Sequence, residues 1–415
     1  TADLELDFAE ARLSLDEIDW VKEAGDPATG ELLYRVTPDG PQANAQFDSE
    51  TTRLLGNLTL GSDGRILSAD LERAFIQDKL DVTGTIRRDD QNNVSLALKG
   101  ANLDVSDVIA GGGNFAFGAA TSAAGQQPAE PAPDDEKTKS GTLSLSAEVD
   151  HLILNDELDI FDADLTVFGT ADKVQQLEAT GTTSTDAFFI ASFSDDGKSA
   201  PQLGFSTGDA GFLANALLDV KNLTGGKLDV KGRLAYGGAP TQFDITLSDA
   251  RLTNAPVFAQ ILSLASLQGL SDTLGGEGVM FTEVSLPLTI DGQTFRVSGG
   301  RASGPAIGLT AKGWVDLESR QLDVNGVLVP SFGLNSALGE IPLIGDLVVG
   351  RRGEGIFSLT YAVDGTLEEA RVSINPLSAI TPGILRRLFE APEREIDELR
   401  PVDLSPDNDP DSRGQ

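Results

Sequence analysis

Residues 335–389 read NSALGEIPLIGDLVVGRRGEGIFSLTYAVDGTLEEARVSINPLSAITPGILRRLF, and three pieces follow one another within them. The first, 335–350, is an apolar loop or short helix interrupted by Gly339, Pro342 and Gly345. The second, 355–374, reads as a β-hairpin. Ile356, Ser358 and Thr360 alternate with Phe357, Leu359 and Tyr361, Asp364-Gly365 supplies the turn, and Val372 and Ile374 lie on the return strand. Asn375-Pro376 stops that strand, and Thr381-Pro382 opens a short helix over 383–390. Its apolar residues Ile384, Leu385, Leu388 and Phe389 are expected to dock on the end of a sheet. Arg386 and Arg387 would stay in water or meet acidic groups or phosphates.

Upstream the same strand grammar continues. Residues 286–290 and 294–298 flank Asp291-Gly292, a strong hairpin signal, and 309–317 pairs with 322–329. Residues 252–271 carry no charge. Asn254 is a candidate cap, Pro256 suits a first turn, and 257–267 is rich in helix formers, so this is a buried or interfacial helix. Its polar interruptions Gln260, Ser263, Ser266 and Gln268 argue against a membrane span. Strands are expected at 142–149, 160–168, 188–193 and 227–236. From 54 to 108, short apolar runs bounded by Gly, Asp or Asn predict an antiparallel meander with one apolar face. LDVTG at 80–84, LDVKG at 228–232 and LDVNG at 322–326 repeat one strand-ending phrase without a fixed period. Residues 111–140 are rich in Gly, Ala, Pro and charge, a loop or linker. At the N-terminus Leu4, Leu6 and Phe8 alternate as in a strand, so the chain reads as a C-terminal fragment or processed product without its export and anchoring segments.

Composition bounds the function. The 415 residues include 65 acidic and 31 basic ones, a formal charge of −34, with 40% hydrophobic residues. That excess disfavours nucleic-acid binding and broad adsorption to anionic membranes, and suits a soluble acidic surface. With no cysteine, disulfides, thiolate metal sites and a cysteine nucleophile are excluded. Gly204-Phe205-Ser206-Thr207-Gly208 fits G-x-S-x-G, but the one histidine, His151, lies upstream and no βα alternation surrounds the motif. His151 is expected at the surface or at a strand edge. Asp156, Asp159, Asp162 and Asp164 lack the glycine and late glutamate of a calcium loop. No phosphate loop is present. No catalytic residue, metal or cofactor is therefore expected, and the weight falls on binding or structure.

The segments 335–345, 353–361 and 373–389, in that order, resemble the C-terminal domain of the AsmA-like family, large bacterial envelope proteins usually tethered in the inner membrane. The resemblance covers the last quarter of the chain. It implies a role in lipid traffic or outer-membrane homeostasis, in the periplasm of a Gram-negative bacterium, with an inner-membrane anchor in the full-length protein. A sheet with one apolar face must hide it in a sandwich, a closed barrel or a long curled sheet. The resemblance favours the last: a mainly β, elongated, curled antiparallel sheet, an open β-groove with a few short helices. Its expected parts are an N-terminal groove segment (1–110), the linker (111–140), a central β segment (141–251), the AsmA-like module (252–390) and a disordered acidic tail (391–415). About thirty strands at ~4.8 Å spacing set an upper length of ~140 Å. The candidate groove-lining residues are Val94, Leu96, Leu98, Leu143, Leu145, Val149, Leu309 and Val315, which alternation alone does not separate from sandwich core. The expected function is a lipid conduit carrying phospholipid or another acyl lipid between inner and outer membranes. The alternative is an assembly factor that engages outer-membrane proteins through exposed strand edges.

Overall fold

The computed structural model describes residues 1–15, 20–37, 40–61, 64–110, 141–170, 173–264, 276–330 and 359–375. The linker 111–140, the segment 335–358, the docking-helix residues Ile384 to Phe389 and the tail 391–415 lie outside the described residues.

The first strands are β1 (Ala2–Asp7), β2 (Leu13–Leu15), β3 (Trp20–Lys22), β4 (Ala28–Thr37), β5 (Gly40–Ser49) and β6 (Thr52–Leu60). Then come β7 (Ile66–Ile76), β8 (Leu80–Arg88), β9 (Val94–Asp104) and helix α1 (Ser106–Ala110). The middle holds β10 (Thr142–Asn155), β11 (Leu158–Thr170), β12 (Lys173–Thr183), β13 (Phe188–Ser194) and β14 (Gln202–Thr207). Helix α2 (Ala210–Leu218), β15 (Leu223–Thr224), β16 (Lys227–Arg233), β17 (Thr241–Leu252) and helix α3 (Pro256–Leu264) follow. The last strands are β18 (Val279–Asp291), β19 (Thr294–Ser303), β20 (Ile307–Asp316), β21 (Gln321–Pro330), β22 (Leu359–Thr366) and β23 (Ala370–Asn375).

Twenty-one strands form one curled, open sheet; β2 and β3 make a separate hairpin. Pairing follows chain order almost throughout, each strand antiparallel to the next. The exception is β9 with β10, which lie parallel, Val94 opposite Leu143 and Leu103 opposite Leu152. The sheet thus continues unbroken across the 111–140 insertion. Among the described residues β1 pairs only with β4 and β23 only with β22, so these are the outermost described strands of the open sheet. Twenty strand positions at ~4.8 Å give a stack about 90 Å long, shorter than the ~140 Å limit. The reason is strand length: β10 has 14 residues and β11 and β18 have 13 each, so fewer strands are cut from the same chain.

One face is apolar because these strands alternate. In β10, Leu143, Leu145, Ala147 and Val149 are covered while Ser144, Ser146, Glu148 and Asp150 are exposed. Extra residues bend the strands. The register shifts between Asp81 and Val82 on entering β9 and again between Phe161 and Asp164 on leaving β11, with Asp162 at φ 49. Each bulge adds local twist and curvature, which wraps the apolar face inward.

Antiparallel order sends successive connections alternately to two lips. One lip, here lip B, carries short turns such as 61–65, 89–93, 195–201, 292–293 and 367–369. The other, lip A, carries the long excursions: 8–27 with the β2–β3 hairpin, 208–226 with α2, and the connection from β17 to β18 with α3.

Several local expectations are corrected. The turn of the last hairpin is 367–369 and not Asp364-Gly365. Asp364 sits within β22 opposite Arg371, whose guanidinium holds it at 2.6 Å, and Gly365 takes φ 113 inside the strand. Two of the three LDVxG phrases do not end strands, since β8 runs on to Arg88 and β21 to Pro330, whereas LDVKG at 228–232 does, β16 stopping at Arg233. Their glycines mark close approach instead: a Cβ on Gly326 would lie 1.8 Å from the Thr310 carbonyl oxygen. Asn254 does not cap α3. It adopts φ 47 ahead of the helix, whose first bond runs from Ala259 N–H to the Ala255 carbonyl.

Tyr361 passes over Gly326 and donates its hydroxyl to the Thr310 carbonyl at 2.7 Å. Burial pushes its phenol up to about 12. The neutral form is thus favoured by folding, so its contribution is fully present below the ordinary tyrosine value of ~10 and is lost as pH rises towards 12. Tyr361→Phe should cost about 1 kcal/mol near neutral pH and flatten part of the decline in melting temperature between pH 10 and 12. Parallel pH-dependent melts of the two proteins check this.

Candidate functional site

The site is the covered face of the sheet. Register pairs trace one lateral row of side chains across it. From the first edge it runs Ala2, Tyr34, Ala43, Leu58, Ala69 and Ile86. It crosses the parallel seam through Leu96 and Leu145, then Val167, Leu177, Phe193 and Leu203. Beyond Gly232 and Phe243 it continues through Leu288, Val297, Gly313 and Val324 to Val363 and Val372. No charged residue interrupts it, and the Tyr34 hydroxyl is its one polar group.

Six of the candidate residues fall together at the seam. Val94 faces Leu143, Leu96 faces Leu145, Leu98 faces Ala147, and Val149 faces Gly100. Val149 is buried and the other five are half-buried. Leu309 and Val315 lie far along the sheet on β20, paired with Leu328 and Leu322. Leu309 packs against a second core of Ile261, Leu262, Phe281, Ile307 and Leu328, whereas the seam belongs to a first core that includes Val149, Ile160, Ala191 and Leu213.

Three elements cover this face along lip A, and sequence reasoning missed two of them, the β2–β3 hairpin and α2. The β2–β3 hairpin brings Trp20 and Phe8 onto Phe47, with ring centroids 6.3 and 5.7 Å away, and Trp20 Nε1 donates to Thr52 Oγ1 at 2.9 Å. The hairpin is locked by Lys22, whose buried ammonium donates to the carbonyls of Phe8, Ala9, Ala11 and Glu23 at 2.7–3.0 Å. Those four acceptors replace the water that the charge loses. Helix α2 is capped by Asp209, which accepts from Phe212 N–H at 3.0 Å. It touches β11 and β17, which have β12, β13, β14 and β16 between them, so it lies along the stack above the strand ends. An aspartate followed by the apolar run AGFLANALL was the readable signal for it. Helix α3, anticipated from its composition, buries Ile261 and Leu262 and reaches β23.

The outer face is polar. Lys99 Nζ meets Glu148 Oε2 at 2.7 Å on the far side of the seam. His151 is not at an edge: it is half-buried in mid-sheet, stacked on Phe161 at 4.8 Å with Nε2 3.1 Å from Asp159. Ser206 donates to Asp229 at 2.8 Å from within β14, although helix α2 does follow the motif directly. Among the described residues no three acidic or histidine side chains converge as a metal site, and no helix is long and apolar enough to cross a membrane.

No curated protein and no solved structure matches the chain. Residues 77–372, most of the chain and most of the sheet, match the family described as YhdP protein. The open groove with its unbroken apolar row and the extent of that match agree, and the chain belongs to the YhdP protein family, an AsmA-like family of envelope lipid-transport-like proteins.

Proposed function

We propose that this chain is a periplasmic lipid-binding segment whose groove holds acyl chains and passes phospholipid between the inner and outer membranes. The observation that carries the reading is the lateral row: an apolar path crosses every strand position from β1 to β23 without a charge. Each methylene moved from water to such a surface is worth about 0.8 kcal/mol, so two long chains represent tens of kcal/mol. A continuous track of about 90 Å replaces that single barrier with many small steps, and no nucleophile, metal or nucleotide is needed along it. An inner-membrane anchor elsewhere in the full-length protein would set one end of the path.

The position of β1 and β23 as the outermost described strands supports a second reading, in which the chain adds strands of outer-membrane proteins to its sheet. Native mass spectrometry separates the two. The conduit reading expects phospholipid masses to remain on the chain purified from membranes, and to be replaced when a phospholipid of different chain length is supplied in excess. A chain that retains none and takes up none sinks it. A stable, lipid-free complex with barrel proteins would favour the second reading.

A further inference from the structure

The two lips of the groove are unlike. Along lip A the β2–β3 hairpin, α2 and α3 lie over the apolar face, the first packing Trp20 on Phe47 and the helices burying Leu213 and Leu262. Along lip B the described connections are tight turns with no helix, and the strand ends stand uncovered. Both lips carry more acid than base. The short turns of lip A hold Glu50, Asp78, Asp156, Glu157 and Asp186, against Lys79. Those of lip B hold Asp89, Asp90, Asp195, Asp196, Glu318, Glu368 and Glu369, against Arg65, Lys198 and Arg320, and ion pairs there join neighbouring turns. Lys173 at the start of β12 meets Asp195 of the next lip-B turn at 2.7 Å, and Arg320 of the 317–320 turn meets Glu368 of the 367–369 turn. Arg87 and Arg88 add positive charge at the end of β8.

We propose that phospholipid lies in this groove in one orientation, acyl chains under the lip-A cover and zwitterionic headgroups emerging along lip B. The inference rests on the lipid reading above and adds the side from which cargo enters, is recognised and leaves. A headgroup needs water and partners of both signs. Lip B offers both beside open water, whereas lip A is roofed by apolar segments. The Arg320–Glu368 pair of lip B is exposed on both sides, so its exchange with a phosphate and an ammonium costs little.

The chain contains no cysteine, so a single introduced thiol reports one place. Leu317→Cys and Leu367→Cys put a fluorophore on lip B; Leu217→Cys and Leu264→Cys put it on lip A, all four at exposed positions. Each labelled protein is loaded with phosphatidylcholine bearing a nitroxide on its headgroup or, separately, at the end of an acyl chain. Headgroup nitroxide should quench the two lip-B labels several-fold more than the two lip-A labels, and chain-end nitroxide should reverse the order. Equal quenching at both lips, or headgroup quenching at lip A, overturns the orientation. Loading is read independently by native mass spectrometry. Protein that carries lipid but shows no lip preference defeats this inference alone, whereas protein that never loads defeats the lipid reading and this one with it.

Discussion

Leu96→Asp should leave the sheet folded and strip it of lipid, whereas Leu309→Asp should unfold the C-terminal part of the chain. The two leucines were equivalent in the sequence, but their surroundings differ. Leu96 is half-buried between Ile86 and Leu145 on the lateral row and belongs to neither packed core. An aspartate there can be hydrated from the groove while the groove is empty. When acyl chains arrive it must be desolvated, at a cost of several kcal/mol, enough to reduce retained lipid by orders of magnitude. Leu309 packs on the core that α3 closes with Ile261 and Leu262. Leu309 is itself half-buried, but a carboxylate there would sit against that apolar core whether or not lipid is bound, and an unpaired charge held in a core costs about 3–5 kcal/mol, a large part of an ordinary domain's stability of ~5–15 kcal/mol. Circular dichroism and lipid mass spectrometry on both variants give the test. An unfolded Leu96→Asp would mean that the seam is ordinary core. A folded Leu96→Asp that keeps its lipid would mean that the track runs elsewhere.

The architecture was legible where one face is apolar and the other wet. Leu143, Leu145 and Val149 alternate with Ser144, Ser146 and Glu148, and that pattern alone places a half-covered strand. Asp291-Gly292 marked its hairpin because the turn is local: Asp291 pairs with Thr294 and Gly292 takes φ 57. Strands β5 and β12 escaped because their covered positions are mostly small. Ala43 and Ala45 in one, Ala179 and Gly181 in the other, make no hydrophobic run. The glycine phrases misled for a tertiary reason. Gly326 is required by the approach of Thr310 and Tyr361, which arrive from other strands. The parallel junction of β9 and β10 depends on a pairing across an insertion, and no local pattern announces it. Of the site, the lining residues could be named but their division could not: Leu96 lies outside both cores, whereas Leu98, Leu145 and Val149 join the first and Leu309 packs on the second.

Leu262→Ala should melt the end of the sheet while leaving its middle intact, and Leu213→Ala should do the converse. Leu262 is completely buried, in a core built by α3 with Val279, Phe281, Ile307, Leu328 and Leu359. Leu213 is 3% exposed, in a separate core of α2 with Val149, Ile160, Ala179 and Phe189. Truncating a buried leucine removes its transfer energy and leaves a cavity, together about 2–5 kcal/mol. In a compact domain that loss is shared by the whole fold. In a sheet where each strand touches only its neighbours, stability is a sum of local and nearest-neighbour terms, and the loss stays where it is made. Amide hydrogen exchange should therefore show β18 to β23 losing protection by the full amount in Leu262→Ala, with β10 to β13 unchanged, and the reverse pattern in Leu213→Ala. Uniform loss of protection in either variant would show that the two cores fold as one unit. Local loss has a consequence for the groove: the C-terminal half could open around α3 without dissolving the seam at Leu96 and Leu145, so the track can yield at one place and hold its course at the next.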